Sequence, residues 1–275
     1  MGIDPLNPFA IPLLNTLLLL SSGDCLKWDS DPNNVINLLN ILPILPFNKP
    51  KYSAKKRIGP HNFNILSILI CHLLGDAYAY KDTRGHGTNI RFYYGIVNKE
   101  YALYLHSLIS GLGYCSTLIP KTHYRKTEYV LIKNKNKNLY GIEDKSIRGI
   151  IRFNTYTFSS FNWIHELFYV NNKKIVPLNI VDYLSPQGLA HWIMDDGCII
   201  PNRGVRLCTN SFTYEEVKFL ADLLKDKFDL KTKVHSGGIV NSHTIYISKK
   251  SLTDLIQIVK PFMVPSMLYK LGLNY

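Results

Sequence analysis

Asp76 and Asp196 each close an apolar, helix-like run. The first run is Leu69-Ile70-Cys71-His72-Leu73-Leu74-Gly75-Asp76-Ala77, and the second, 120 residues on, is Leu189-Ala190-His191-Trp192-Ile193-Met194-Asp195-Asp196-Gly197. A duplicated helix that delivers one carboxylate per copy can set two carboxylates side by side on a pseudo-twofold axis. That is the minimum needed to hold divalent metal over a phosphodiester. The carboxyl end of a helix carries partial negative charge, so two such ends brought together repel. Bound Mg²⁺ resolves this repulsion, because it takes oxygen ligands and keeps waters, one of which can become the nucleophile.

The elements that must deliver these groups repeat from Gly59 onward. The first half reads as a motif helix over 65–76, a strand over 89–96 and a helix over 98–112. Strands over 116–121, 128–133 and 150–157 follow, then a helix over 160–168. The second half reads as a motif helix over 186–196, a strand over 204–209, a helix over 213–228, strands over 231–235 and 244–247, and a helix over 251–259. Thr213-x-x-Glu216 is a capping-box start. With some strands supplied by the repeat, each half runs α-β-β-α-β-β-α, an α+β pattern with one antiparallel sheet per half. The expected divisions are an extension over 1–58, a first domain over 59–183 and a second over 184–275. Close approach of the two motif helices needs small residues. Gly75, Cys71 and Ala190 are small, whereas His191 and Trp192 are not.

Composition agrees with a globular, polyanion-binding chain. Hydrophobic residues make up 46% of 275, enough for a real core, and the net charge of +12 favours nucleic acid or an acidic membrane face. The five cysteines are odd in number with no C-x-x-C pair, which argues against a disulfide framework or a zinc site and fits a reducing compartment. The nine histidines show no metal-ligand spacing. The unbroken apolar part of 5–23 is far shorter than the roughly 20 residues a membrane span needs, and neither a signal peptide nor a transit sequence is apparent.

Residues 189–197 resemble the LAGLIDADG motif of homing endonucleases, matching at Leu189, Ala190, Ile193, Asp196 and Gly197. The first copy is more degenerate: it keeps Leu69 and Asp76 and has Ala77 where Gly is usual. Segments 168–177, 211–217 and 265–271 are similar to the two-motif, single-chain members, so the resemblance covers roughly 60–275. It implies two pseudo-symmetric αββαββα domains with paired central motif helices. It also implies a monomer that makes a metal-dependent double-strand break in a double-stranded DNA target of about 20 bp, at the insertion site of its own intron. Asp76 and Asp196 are then catalytic metal ligands, with the backbone carbonyls of Ala77 and Gly197 as further candidates. The cofactor is two or more Mg²⁺ ions, for which Mn²⁺ or Ca²⁺ substitutes in binding. Successive helical residues point about 100° apart, so one aspartate of the Asp195-Asp196 pair faces the axis. By the motif that one is Asp196, which leaves Asp195 to packing or solvent. In similar endonucleases a lysine at the places of Lys174 and Lys270 sits near the metal-bound water or leaving oxygen, where it stabilises developing charge.

DNA contacts are expected from the sheets, since an antiparallel ribbon fits the major groove. The polar and basic positions are Asn89, Arg91, Tyr93, Lys121, His123, Arg125, Lys133, Arg152, Asn154, Arg203, Arg206, Lys231, Lys233, His235 and Lys249. Phosphate contacts position and base contacts specify, and the sequence does not sort these residues between the two jobs. A basic loop over 133–148 reads as an exposed hairpin tip. Proline and charge make 24–58 a linker with at most one short helix over 35–42. In it Lys51, Lys55, Lys56 and Arg57 either reach phosphates or are simply solvated. Residues 5–23 resemble a piece of cytochrome c oxidase subunit 3, and the resemblance stops near Gly23. An upstream exon fused to an intron reading frame would look like this, and the family context implies a mitochondrial, intron-encoded protein. The rival readings are an RNA maturase that helps its own intron splice, and a DNA-binding relative that has lost cleavage.

Overall fold

The computed structural model describes residues 52–82, 86–125, 132–133, 140–141, 148–238 and 240–273. At its centre two apolar helices cross. Helix α1 (Phe63–His72) starts where the Asn62 side chain accepts from the Asn64 N–H, and after its first turn it is buried, from Ser67 to His72 without a break. A helix apolar on every side belongs at the middle of a molecule. The second motif helix, named α5 after its place in the chain (Pro186–Asp196), has Pro186 in its first turn and Ser185 as N-cap, accepting from Gly188 N–H. The crossing is closed by Ser67, whose hydroxyl donates to the Tyr183 carbonyl at 2.7 Å and lies 2.6 Å from Ser185 Oγ. Gly188 is what lets the helices meet: a Cβ there would fall 2.5 Å from Cys71 Sγ and 2.7 Å from Ser67 Oγ.

Each motif feeds a four-stranded antiparallel sheet. The first has strands β1 (Tyr78–Lys81), β2 (Thr88–Gly95), β3 (Thr122–Arg125) and β6 (Arg148–Asn154), in the order β1-β2-β6-β3. The second has β9 (Gly197–Ile200), β10 (Gly204–Cys208), β11 (Thr232–Ser236) and β12 (His243–Ser248), in the order β9-β10-β12-β11. Taken in chain order the two sheets have the same connectivity. The crossover helices are α2 (Lys99–Gly111) and α6 (Tyr214–Phe228). The closing helices are α3 (Asn162–Phe168) and α7 (Leu252–Val259), and a short α4 (Ile180–Tyr183) leads into α5. Strand periodicity sorts the faces. Ile90, Phe92 and Tyr94 of β2 go to the core, while Asn89, Arg91 and Tyr93 take the other face. The core runs unbroken through both halves around the two motif helices. The capping box at Thr213 and Glu216 forms as expected, and Glu216 also accepts from the Val176 N–H at 2.9 Å, tying the connector to the second half.

Two expectations change. The first motif helix ends at His72, not at 76, and the chain reaches Asp76 through a tight turn in which Gly75 N–H donates to the His72 carbonyl at 3.0 Å. The strand expected over 116–121 does not form. Ser116 Oγ instead accepts from Leu118 N–H at 3.2 Å, a local turn that competes with a ladder, and pairing begins only at Thr122, opposite Ile151. Of the strand expected over 128–133, the described part is β4 (Ile132–Lys133), which pairs with β5 (Tyr140–Gly141) at the base of the basic loop. The helix expected over 35–42, the segment over 5–23 and Lys51 lie outside the described residues. Cys71, Cys115, Cys198 and Cys208 are all free thiols.

Candidate active site and nucleic-acid interface

The two motif ends meet under the sheets. Asp196 is the last residue of α5, and its Oδ2 lies 3.2 Å from where a Cβ on Gly75 would sit. Gly75 therefore holds open the space beside the second carboxylate, one residue before the first. Asp76 is open to solvent at its tip, yet burial of its surroundings and then the Asp195 charge raise its carboxyl to about 6. For Asp196 the same causes, with Asp76 added, raise it to about 7. Carboxylates crowded in this way hold charge only at a cost, and a cation removes that cost.

The lysines sit in equivalent places. Lys174, in the short strand β8 (Lys173–Lys174) that pairs with β7 (Tyr169–Val170), donates through Nζ to the carbonyls of Gly75 at 3.3 Å and Ala77 at 3.0 Å. Lys270 is buried and donates to the Asp195 carbonyl at 2.6 Å. Gly75 and Asp195 each precede a motif carboxylate, so each half supplies a cation to the negative end of its own motif. Burial lowers Lys174 to about 8, against the pull of Asp196, Asp195 and Asp76, and it lowers Lys270 too. Neither is a solvated surface charge.

Of the two places expected for Asp195, packing is the one it takes. It does not face solvent: it is buried in the crossing, and its carboxylate is fully engaged. His72 Nδ1 lies 2.6 Å from Oδ2, while the Tyr94 and Tyr101 hydroxyls donate to Oδ1 at 3.1 and 3.0 Å. The partners come from α1, β2 and α2, so Asp195 fastens the second motif to the first half. The clue in the sequence was Gly75, which stands at the same motif position and offers Asp195 the room it fills. His191, one turn back, is enclosed with its ring centroid 5.0 Å from that of His72. Desolvation, then His72, holds it well below its usual pKa, so it is neutral.

Six of the expected DNA contacts line one open hollow on the first sheet: Asn89, Arg91, Tyr93, His123, Arg152 and Asn154. The register pairs Arg91 with Asn154 and Tyr93 with Arg152. Arg91 is held fast. Its guanidinium lies 3.6 Å over the Tyr80 ring, its Nε donates to Asn89 Oδ1 at 3.0 Å and its Nη1 to the Tyr78 hydroxyl at 3.2 Å. Tyr78 and Tyr80 line this cluster and were missed, because β1 was supplied only by the repeat. Lys121 is exposed just ahead of β3. The side chains of Arg125 and Lys133 lie outside the described residues. On the second sheet Lys233, Tyr246, Arg206 and Cys198 form one row across the strands, with His235 stacked on Tyr246. Arg203, Lys231 and Lys249 gather at the sheet end remote from Asp196, where Lys249 N–H donates to the Arg203 carbonyl at 2.7 Å.

Two copies of one αββαββα unit, each bringing a carboxylate to the end of its motif beside a lysine held on the motif backbone, match the family model described as "LAGLIDADG DNA endonuclease family" over residues 66–255. The chain belongs to that family. Cytochrome b mRNA maturase bI2 of Debaryomyces hansenii is 42% identical, over 80% of this chain and 80% of that protein. The bI2 maturase of Saccharomyces cerevisiae is 40% identical over 82% of this chain, which spans about half (51%) of that relative's length. Intron-encoded endonuclease ai4 of Dictyostelium discoideum is 44% identical over 59% of this chain and 94% of its own. Among solved structures, the homing endonuclease I-WcaI bound to its DNA recognition sequence shares the fold, with a TM-score of 0.63 and 24% identity over 88% of this chain and 99% of that one.

The donors at the motif ends suit a hard cation. They are all oxygens, from Asp76, Asp196 and the nearby carbonyls. Among the described residues no three His, Cys, Asp or Glu side chains gather around a common point, so an ion there would keep most of its water or take phosphate oxygens, as Mg²⁺ does. The Ala77 carbonyl already accepts from Lys174 and has one lone pair to spare.

Proposed function

We propose that this protein is a single-chain homing endonuclease that cuts both strands of a double-stranded DNA target of about 20 bp at the insertion site of its intron. The observation that carries the reading is the pair of crowded carboxylates at the motif ends, with half-buried Lys174 and buried Lys270 holding the motif backbone beside them. The sheets lie along the DNA, with the hollow around Arg91 and the row around Arg206 facing base edges. Asp76 and Asp196 hold divalent metal, Mg²⁺ by preference and Mn²⁺ or Ca²⁺ for binding, with the Ala77 and Gly197 carbonyls nearby. When bound, such ions polarise phosphate oxygens and lower the pKa of water. Lys174 and Lys270 sit beside the carboxylates as fixed positive charge and stabilise charge developing on the leaving 3′ oxygen. The aspartates and lysines form two sets, one per strand. The chain works as a monomer inside mitochondria. The test is cleavage of intronless target DNA in Mg²⁺ by wild type, Asp76→Asn and Asp196→Asn. Both variants lose double-strand cutting while DNA affinity stays within about tenfold, since neither carboxylate attracts phosphate. Retained double-strand cutting in either variant refutes the paired-carboxylate mechanism.

A second reading has its own support. Two of the relatives above are named mRNA maturases, which favours a role in splicing the host intron RNA. Splicing of that intron with and without protein separates the two activities, and both can reside in one chain. A relative that binds without cutting would leave the same target intact in Mg²⁺.

A further inference from the structure

The basic run ahead of α1 has no part in the site above. From residue 32 to residue 75 the chain carries Lys49, Lys51, Lys55, Lys56 and Arg57 and not one acidic residue. Its described part is a 3₁₀ turn (Ala54–Lys56) that is tied firmly to the first half. Arg57 is only 5% exposed. Its guanidinium lies 4.5 Å over the Tyr156 ring, and its Nη1 donates to the Thr157 carbonyl at 3.4 Å. The Arg57 carbonyl accepts from Ser160 Oγ, which lies 2.7 Å from His61 Nε2. Arg57 is therefore an anchor turned inward. Lys55 and Lys56 point the other way: both are exposed, and among the described residues neither makes an ion pair.

The anchor fixes where these two charges stand. Thr157 Oγ1 accepts from Asn89 Nδ2 at 3.3 Å, and Asn89 lines the hollow of the first sheet. Thr157 follows β6 at the end remote from Asp76, where Thr88 N–H bonds the Phe158 carbonyl. The lysines thus stand at the outer rim of the proposed DNA face. The second half shows what this rim needs, for there Arg203, Lys231 and Lys249 stand immediately next to the strand ends. On the first sheet the described counterpart is Lys81, which is already bound to Glu166 at 2.8 Å.

We propose that Lys55 and Lys56 grip the phosphates of the duplex flank just outside the first half-site, a backbone clamp supplied by the segment that precedes the fold. The clamp rests on the endonuclease reading and extends its footprint on one side only. The test compares the full chain with Lys55→Ala/Lys56→Ala, binding target duplex in chelator across a range of salt. Two lost phosphate contacts reduce the slope of log K against log salt by about 1.8, so that moving from 50 to 200 mM salt weakens the variant ~10-fold less than it weakens the wild type. Trimming about half a helical turn of duplex from each side in turn weakens the wild type on one side alone and leaves the variant unaffected there. The base preference of the cut stays the same. An unchanged slope, or equal sensitivity to trimming in both proteins, overturns the clamp while wild-type cutting leaves the endonuclease reading standing. A wild type that neither binds nor cuts any duplex overturns that reading, and the clamp with it.

Discussion

Asp196→Asn should make the protein more stable while it disables the site. The Asp196 carboxyl is raised from its ordinary 3.8 to about 7, first by burial and then by Asp195 and Asp76. A folded pKa above the unfolded one means that the native state binds more protons between those values. Stability therefore falls as pH rises through that window, and the whole penalty is present above about pH 7. At ~1.4 kcal/mol per pH unit the shift corresponds to roughly 4 kcal/mol, which solvent at the open side of the site reduces to about 1–3 kcal/mol. Asparagine keeps the shape and never ionises. Urea unfolding in chelator at pH 8 should then find Asp196→Asn more stable than wild type by about 1–3 kcal/mol, and the gap should close as pH falls below the ordinary 3.8, where the wild-type carboxyl is neutral in the folded and the unfolded state alike. Mg²⁺ at ten times its dissociation constant should return ~1.4 kcal/mol to the wild type and little to the variant. A variant no more stable than wild type at pH 8, or a gap that ignores pH, would refute the claim that Asp196 is held under electrostatic strain.

Lys174→Ala and Lys270→Ala should each slow cleavage by about 10²-fold with little change in binding, the scale of one fixed electrostatic stabiliser. Single-turnover cutting at wild-type rate in both would reduce them to caps on the motif ends. Arg91→Ala should relax the preference for one G·C pair on the cut-proximal side of the first half-site by about 1–3 kcal/mol, because a guanidinium held by Asn89, Tyr78 and Tyr80 still has donors free for a guanine edge. Selection from a randomised target that returns the same consensus for wild type and variant would make Arg91 a phosphate ligand instead. If residues 5–23 are translated exon, an uninterrupted oxidase subunit 3 gene fragment should be cut within a few base pairs of the Gly23 codon, and the intron-bearing fragment should be left whole. Cutting of neither, alongside cutting of an unrelated selected sequence, would make that N-terminal likeness accidental.

The parts of the site written in short-range chemistry were legible in the sequence. Each motif carboxylate follows a long apolar run, and such runs announce central helices. The Thr213 cap and the alternation in β2 likewise depend on neighbours within a few residues. Strands β1 and β9 were not legible, being four residues each with no clean alternation, and they emerge only because β2 and β10 give them a ladder. The strand expected over 116–121 failed for the opposite reason, as a local Ser116 turn outcompeted the ladder. The rule of about 100° per residue leaves Asp195 to packing or solvent but does not say what it packs against. In the fold the target is the neighbouring helix, and its partners His72, Tyr94 and Tyr101 lie about a hundred residues away.

The fit of Asp195 against Gly75 also makes the two halves non-interchangeable. At this motif position one copy has no side chain and the other has a carboxylate, and a Cβ on Gly75 would come within 2.8 Å of the Asp195 Cβ. Two first halves brought together would leave a void at the seam and strand their histidines. Two second halves would set Asp195 against Asp195, like charges with none of the His72, Tyr94 and Tyr101 partners to receive them. Each half has become the complement of the other and a poor match for itself.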